Sequence, residues 1–237
     1  MPRACMFLLL VLALGACSSG DQAANRAAER DPAAAAALND PIMADPDLAS
    51  QNRGNSALTG GGPANGDLPA FRRGPEEADA ARAAAEAQLG GKIGAAPPAT
   101  QTTKESRLAG MLTAQAIAAA SKLAPPGCAE QTEYTMSWAA KLPPGLAIYP
   151  RGHTVMAGGS DAPGCKLRTV RFVTPVGLAD VVNFYFASAG QARLGVQHHR
   201  EGDDEVVTGQ RGTAAYAVFV RKRADGLTEV DLISAGL

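Results

Sequence analysis

Apolar and polar residues alternate along the C-terminal half of the chain in short runs separated by Gly, Pro and Asp, a pattern typical of β-strands. In the first run, Thr132 to Trp138, the residues Tyr134, Met136 and Trp138 share one face. The later runs are rich in Val, Tyr, Phe and Thr: Leu146 to Tyr149, His153 to Ala157, Lys166 to Thr174, Leu194 to Arg200, Glu205 to Thr208, Ala214 to Arg221 and Thr228 to Ser234. The pattern predicts a sheet of consecutive strands.

One helix interrupts these strands. Thr174 and Pro175 favour a helix start, and Gly190 is a plausible stop. Apolar residues recur between them at helical spacing, namely Leu178, Val181, Val182, Tyr185 and Ala189. Strands, one helix and then hairpin-linked strands predict an α+β fold, an antiparallel sheet with one covering helix.

Two further helices are predicted before this module. Residues Pro75 to Leu89 begin with Pro and two Glu and are followed by Gly90, but their apolar face is almost all Ala, so we expect a solvated helix. Residues Ser106 to Leu123 carry a broader apolar stripe and end before Pro125. We expect this second helix to pack on the edge of the module or on a partner.

The stretch from Ser18 to about Glu105 is rich in Ala, Gly, Pro, Asn, Asp and Gln, and its larger apolar residues are scattered. Such a composition buries too little surface to offset an ordering cost of about 1 to 2 kcal/mol per residue. We therefore expect three parts: a signal peptide at residues 1–16, a largely disordered, lipid-anchored tether at residues 17–105, and a helix plus α+β module at residues 106–237.

The N-terminus carries an apolar run from Met6 to Leu14, preceded by Arg3. Nine helical residues rise only about 14 Å, too short for a hydrocarbon core of roughly 30 Å. The run is therefore typical of the hydrophobic region of a signal peptide.

The end of this signal, Leu14-Gly15-Ala16-Cys17, resembles the bacterial lipobox. The resemblance implies that Cys17 receives a diacylglyceryl group and becomes the first residue of the mature chain. Ser18 after it resembles the pattern of lipoproteins sorted to the outer membrane. The alternative is an ordinary secretory signal with a chance Cys near its end.

The remaining cysteines form a pair. Cys5 leaves with the signal peptide and Cys17 is consumed by lipid, which leaves Cys128 and Cys165. In an exported protein this even remainder predicts a disulfide. A redox pair and metal ligands are the alternatives, but the chain lacks a Cys-x-x-Cys motif and has only 3 His.

Charge and motifs narrow the function further. The formal net charge is −1, and residues 127–237 contain 11 basic and 11 acidic residues, so no nucleic acid partner is indicated. The stretch Gly159 to Gly164 lacks the Lys and Ser/Thr of a phosphate loop. His198 and His199 would point to opposite faces of a strand, so we expect no metal site and no cofactor.

Two charged runs are expected to be structural. We interpret Glu201 to Glu205 as a solvated hairpin turn, since it lacks the spaced ligands of a calcium loop. We interpret Arg221 to Arg223 as basic residues that protect a sheet edge.

Three segments of the module resemble a small domain of uncharacterised exported lipoproteins. They are Leu146 to Gly152, with its Tyr-Pro turn; Leu167 to Thr174, a strand ending in Thr-Pro; and Val181 to Tyr185, with the helical pattern Val-x-x-Phe-Tyr. The whole chain, including Asp40 to Leu48, most resembles hypothetical alphaproteobacterial lipoproteins. It departs from the common helix ending because Gln191 replaces an aromatic residue after Ala189-Gly190. The resemblance supplies no catalytic residue.

Together these features predict a lipid-anchored lipoprotein on the periplasmic face of the outer membrane. Because no acid, base and nucleophile converge in the sequence, we expect a non-catalytic module that binds an envelope component, most simply a protein. The alternative is a small-ligand or glycan-binding lipoprotein that uses exposed aromatic residues such as Trp138, Tyr149 and Tyr216.

Overall fold

The computed structural model describes Asp31 and residues 73–237 of the chain. Its α-helices are α1 (Pro75–Leu89), α2 (Ala114–Ser121) and α3 (Leu178–Gln191), with 3-10 turns at Ala129–Gln131 and Met136–Lys141. The strands are β1 (Thr100–Thr103), β2 (Glu133–Tyr134), β3 (His153–Ser160), β4 (Leu167–Thr174), β5 (Gln197–Glu201), β6 (Asp204–Arg211), β7 (Ala214–Lys222) and β8 (Thr228–Ala235).

The strands form one sheet in the order β1-β5-β6-β7-β8-β4-β3-β2. Every neighbouring pair is antiparallel except β1 and β5, which are parallel. The predicted α+β class, an antiparallel sheet with a covering helix, is confirmed. The parallel edge strand was not predicted because Thr100–Thr103 is polar and exposed throughout and has no apolar alternation.

The sheet has two covered faces. On the first, here called the α3 face, α1 and α3 pack on side chains such as Phe172, Val218 and Leu232. On the second, the α2 face, α2 and the Cys128–Cys165 disulfide cover Leu167, Phe219 and Ile233. Successive side chains of a strand point to opposite faces, so the central strands place apolar side chains in both cores.

The chain from residue 73 to residue 113 wraps around the sheet. Helix α1 buries Ala78, Ala81 and Ala85 in the core of the α3 face, β1 pairs with the β5 edge, and the following residues cross to the α2 face. Part of the predicted tether, residues 73–105, therefore belongs to the fold, and the expected solvated state of α1 is wrong. Small Ala side chains allow close packing of α1, and Arg151 holds Glu77 at 2.9 Å.

Three local predictions need correction. Thr132 to Trp138 is not one strand, because Thr135 caps a 3-10 turn that carries Trp138 into the core beside Gly159. Leu146 to Tyr149 forms no strand but leads into a turn in which Gly152 donates to the Tyr149 carbonyl at 2.8 Å. The predicted helix Ser106 to Leu123 is shortened to α2, because Thr113 is its N-cap.

The expected signal peptide, Cys17 and the Asp40 to Leu48 motif lie outside the described residues. Within the described part, no helix is long and apolar enough to cross a bilayer.

Candidate functional site

A row of buried charged residues crosses five neighbouring strands on the α2 face. Strand register brings Glu201 opposite Asp204, Arg221 opposite Glu229 and Arg171 opposite Asp231. Glu201, Asp204, Arg221 and Glu229 lie at or next to the ends of their strands, whereas Arg171 and Asp231 lie in the middle of β4 and β8. Sheet order therefore assembles, from separate parts of the sequence, a network that we call the charge row: Glu201, Asp204, Arg221, Glu229, Asp231 and Arg171.

The centre of the charge row is the fully buried carboxylate of Asp231. Arg171 donates to it from Nε at 2.7 Å and from Nη2 at 2.9 Å, and Arg221 donates from Nη1 at 2.6 Å. Arg221 also makes two bonds to Asp204, at 2.9 and 3.0 Å. The planar guanidinium groups thus hold the carboxylates in bidentate geometry.

The pKa shifts in this network favour the charged forms. Burial alone would lower the pKa of Arg171 and Arg221, but the hydrogen bond and charge of Asp231 raise the pKa of both, and Asp204 raises that of Arg221 further. Burial would likewise raise the pKa of Glu201, but hydrogen bonds from Arg107 and His199 lower it. These groups are firmly ionised, so they are poorly suited to exchange protons near neutral pH.

The charge row also holds the segment that leads to α2. Arg107 pairs with Glu201 through two hydrogen bonds, one of 2.9 Å, and its guanidinium lies 5.7 Å from the centre of the Phe219 ring. Ser106 donates to Asp204, and Arg171 donates to the Met111 carbonyl at 3.1 Å. Residues 106–111 are therefore fixed to the sheet by polar contacts.

A groove of about 960 Å³ lies between this segment, the β5–β6 turn and the adjoining ends of β7 and β8. Its rim carries charges of both signs, including Lys104, Glu105, Asp203 and Lys222. Ser106 is the hydroxyl in its lining, and it hydrogen-bonds to a carboxylate that is already ion-paired. The described lining of the groove therefore presents a mixed polar surface and no activated nucleophile.

Two interpretations of charged runs are corrected here. The run Glu201 to Glu205 is a hairpin, but Glu201 and Asp204 are 2% and 3% exposed and hold Arg107 and Arg221. Arg221 does not protect a sheet edge, because β7 lies between β6 and β8. Neither the buried pairing of Glu201 nor that of Arg221 is visible in the sequence, because the sequence alone does not reveal which strands become neighbours.

The histidines lie on opposite faces, as predicted. His198 Nε2 lies 2.9 Å from Glu205 on the α3 face, and His199 Nε2 lies 3.2 Å from Glu201 on the α2 face. Among the described residues, no group of three or more His, Cys, Asp or Glu side chains is arranged to hold a metal ion.

The three aromatic residues expected on the surface are instead buried. Trp138, Tyr149 and Tyr216 are 3%, 1% and 1% exposed. Burial raises the pKa of Tyr149 to about 12, and Tyr216 donates to the Gly195 carbonyl at 2.9 Å. The expectation that they form a ligand-binding surface is therefore wrong; they are core residues.

A different set of apolar side chains is exposed. Tyr134, Met136 and Val155 are 53%, 56% and 48% exposed around the outer edge of β3. Strand β2 pairs with β3 only at Gly158 and Gly159, so in the described part of the chain the edge from Thr154 to Ala157 has no neighbouring strand. We call Tyr134, Met136 and Val155 the β3-edge patch.

The predicted disulfide is confirmed. Cys128 and Cys165 are bonded, with 5.5 Å between their Cα atoms, and both are buried on the α2 face. The sulfur atoms join the short turn before β2 to the β3–β4 connection. Cys17, the predicted lipidation site, lies outside the described residues.

No family model, curated protein or solved structure matches this chain. The site must therefore be interpreted from its own geometry. Sequence reasoning missed the charge row, although a signal was present: Arg171 lies between Val170 and Phe172, and Asp231 lies between Val230 and Leu232, inside two predicted strands. A charged residue inside a strand buried on both faces needs a partner of opposite charge on a neighbouring strand.

Proposed function

We propose that the chain is an exported lipoprotein, anchored through Cys17 on the periplasmic face of the outer membrane, whose module binds an extended segment of an envelope protein without catalysis. The observation that carries the binding role is the β3 edge from Thr154 to Ala157, which has no neighbouring strand among the described residues, together with the exposed side chains of the β3-edge patch. The resemblance of the sequence to hypothetical alphaproteobacterial lipoproteins agrees with this proposal.

Export is supported by three features. The apolar run Met6 to Leu14 is typical of a signal peptide, and Leu14 to Cys17 resembles a lipobox. The Cys128–Cys165 disulfide fits an oxidising compartment such as the periplasm. Two or three acyl chains on one cysteine anchor a protein stably, whereas one acyl chain binds only marginally.

The β3-edge patch suits a partner that adds a strand. Unpaired N–H and C=O groups along an edge bond to an extended peptide, and neighbouring apolar side chains select apolar residues of that peptide. Natural edge strands are usually blocked by Lys, Pro, a bulge or a short length. The β3 edge has no Lys or Pro between Thr154 and Ala157, and it carries a bulge between Thr154 and Met156, where Val155 is exposed. Tyr134 and Met136 are exposed on β2 and on the turn that follows it.

Two observations favour binding over catalysis. The carboxylates of the charge row are ion-paired with Arg, and the pKa shifts resolved there move away from neutrality. The groove beside them has mixed charge and no hydroxyl activated by a neighbouring base. The glycan-binding alternative depended on exposed aromatic residues, but Trp138, Tyr149 and Tyr216 are buried.

Lipid attachment is tested with labelled palmitate. We expect the wild-type chain, but not Cys17→Ser, to carry the label and to fractionate with the outer membrane. Label retained by Cys17→Ser would refute attachment at this residue. An unlabelled wild-type chain would refute the lipoprotein proposal.

Partner binding is tested with Val155→Glu, and Thr213→Glu in the exposed β6–β7 turn serves as a matched control. Crosslinking in cells followed by mass spectrometry should recover one envelope protein with the wild type and the control, but not with Val155→Glu. Both variants should keep the wild-type Tm because both positions are solvent-exposed. Equal recovery with Val155→Glu, or no specific envelope protein with the wild type, would refute binding at this edge.

A further inference from the structure

The start of α2 holds a carboxylate from a distant part of the chain. Asp31 is fully buried, and its Oδ2 accepts hydrogen bonds from the backbone N–H of Leu112 at 3.0 Å and of Thr113 at 2.8 Å. The Thr113 hydroxyl lies 3.0 Å from the same oxygen. Asp31 is 81 residues before Leu112, so this contact joins the N-terminal arm to the folded body.

The local geometry suits a negative charge. The first N–H groups of a helix lack partners within the helix and carry partial positive charge. At α2, Thr113 accepts from the Ala116 N–H, and the Tyr134 hydroxyl accepts from the Gln115 N–H. The Leu112 and Thr113 N–H groups, just before the helix, point to Asp31 and complete this set of donors.

The carboxylate is also connected to the charge row. Arg171 donates to the Met111 carbonyl, and the N–H of the same peptide group, that of Leu112, donates to Asp31. Hydrogen bonds in such a chain polarise one another. Arg171 of the sheet therefore helps to position the peptide group that binds Asp31, so the contact does not depend on the helix terminus alone.

We propose that Asp31 is a cis ligand that clamps the N-terminal arm to the start of α2 and thereby sets the reach of the module from the membrane. The clamp needs no lipid, but its effect on reach rests on the proposed anchor at Cys17. At about 3.5 Å per residue, the chain from Cys17 to Asp31, about 14 residues, can extend to at most about 50 Å, whereas the chain from Cys17 to Arg73, about 56 residues, could extend to about 200 Å. Release of Asp31 would then raise the maximum reach about fourfold.

The clamp is tested by amide hydrogen exchange in the full chain carrying Cys17→Ser, which removes the lipid question. Asp31→Ala should increase exchange at Leu112 and Thr113 at least tenfold, because their acceptor is lost. Asp45→Ala, which removes an acid from the same arm, should leave both amides unchanged. Exchange at these two amides that is the same in Asp31→Ala as in the parent chain would overturn the clamp.

A second pair of variants leaves the arm sequence intact. Thr113→Val removes the hydroxyl that donates to Asp31 and also caps α2, whereas Thr113→Ser keeps both interactions. Trypsin should cut after Arg30 several-fold faster in Thr113→Val than in Thr113→Ser, and cleavage after Arg193 in the folded module reports any general loss of structure. Equal cleavage after Arg30 in both variants would overturn the proposal. Palmitate labelling depends on Cys17 and not on Asp31, so failure of the anchor and failure of the clamp are distinguishable.

Discussion

Replacement of Asp231 by Ala is the sharpest test of the charge row. Asp231 is fully buried, and its carboxylate accepts three hydrogen bonds, two from Arg171 and one from Arg221. Removing it leaves Arg171 with the Met111 carbonyl at 3.1 Å and with Glu229 at 3.7 Å. A largely buried guanidinium would then lack its main counter-charge.

Loss of one partner from a buried ion pair costs about 3 to 5 kcal/mol. We expect the lower end, about 3 kcal/mol, because Arg221 keeps its bonds to Asp204 and Glu229. For a domain of this size, such a loss lowers Tm by roughly 6 to 12 °C. The double change Arg171→Met with Asp231→Leu should recover much of it, since no buried charge is then left unpaired.

Urea unfolding followed by circular dichroism measures this effect, with Asp225→Ala as the control. Asp225 pairs with Arg223 at the surface, where solvent screens the interaction, so its loss should move the urea midpoint little. Hydrogen exchange should also show faster opening of residues 106–111 in Asp231→Ala, because Arg171 holds the Met111 carbonyl. A urea midpoint for Asp231→Ala equal to that of Asp225→Ala would refute the structural importance of the charge row.

Three further outcomes are expected. Replacing Cys128 and Cys165 with Ser opens a 37-residue loop and should lower the free energy of unfolding by about 4 kcal/mol, measured by urea unfolding against the wild type; no change would contradict the loop-entropy argument. The lowered pKa of Glu201 stabilises the fold above its unfolded value of 4.5, and this contribution is lost as pH falls through the folded value. Glu201→Gln should thus be less stable at pH 7 and decline less toward acid in thermal melts, and an unchanged slope would contradict this. Ala81→Asp should detach α1 and lower Tm, whereas Ala83→Asp on the exposed side should not; equal Tm values would place α1 outside the fold.

Local sequence patterns predicted the strands and the helix whose apolar residues recur in regular runs. The strands β3 to β8 and helix α3 were predicted near their observed positions, because both sheet faces are buried and α3 has a continuous apolar stripe. The disulfide was also predicted, since the expected signal cleavage and lipid attachment would leave only Cys128 and Cys165, and the structure bonds these two. Periodicity failed where another interaction controls the chain, as at Thr135, where a cap starts a 3-10 turn, and at β1, where four polar residues pair with an edge.

The charge row was missed for a different reason. Its residues come from β4, β5, β6, β7 and β8, and only the sheet order brings them together. Glu201 and Arg221 look like surface charges in sequence because their neighbours are Gly202, Asp203 and Lys222. Only the register that places Arg171 opposite Asp231 shows that these charges neutralise each other inside the fold.

Contacts with the module explain why the tether is shorter than the predicted residues 17–105. Residues 73–105 contain few large apolar side chains, so area alone argues against folding. Polar contacts compensate instead: Glu77 binds Arg151, the Ala96 N–H donates to Asn183 at 2.8 Å, and the Pro97 carbonyl lies 2.6 Å from His198. The three partners lie in the turn before β3, in α3 and in β5. The N-terminal segment is therefore ordered by the module on which it lies, and its order should be lost first when the module is destabilised.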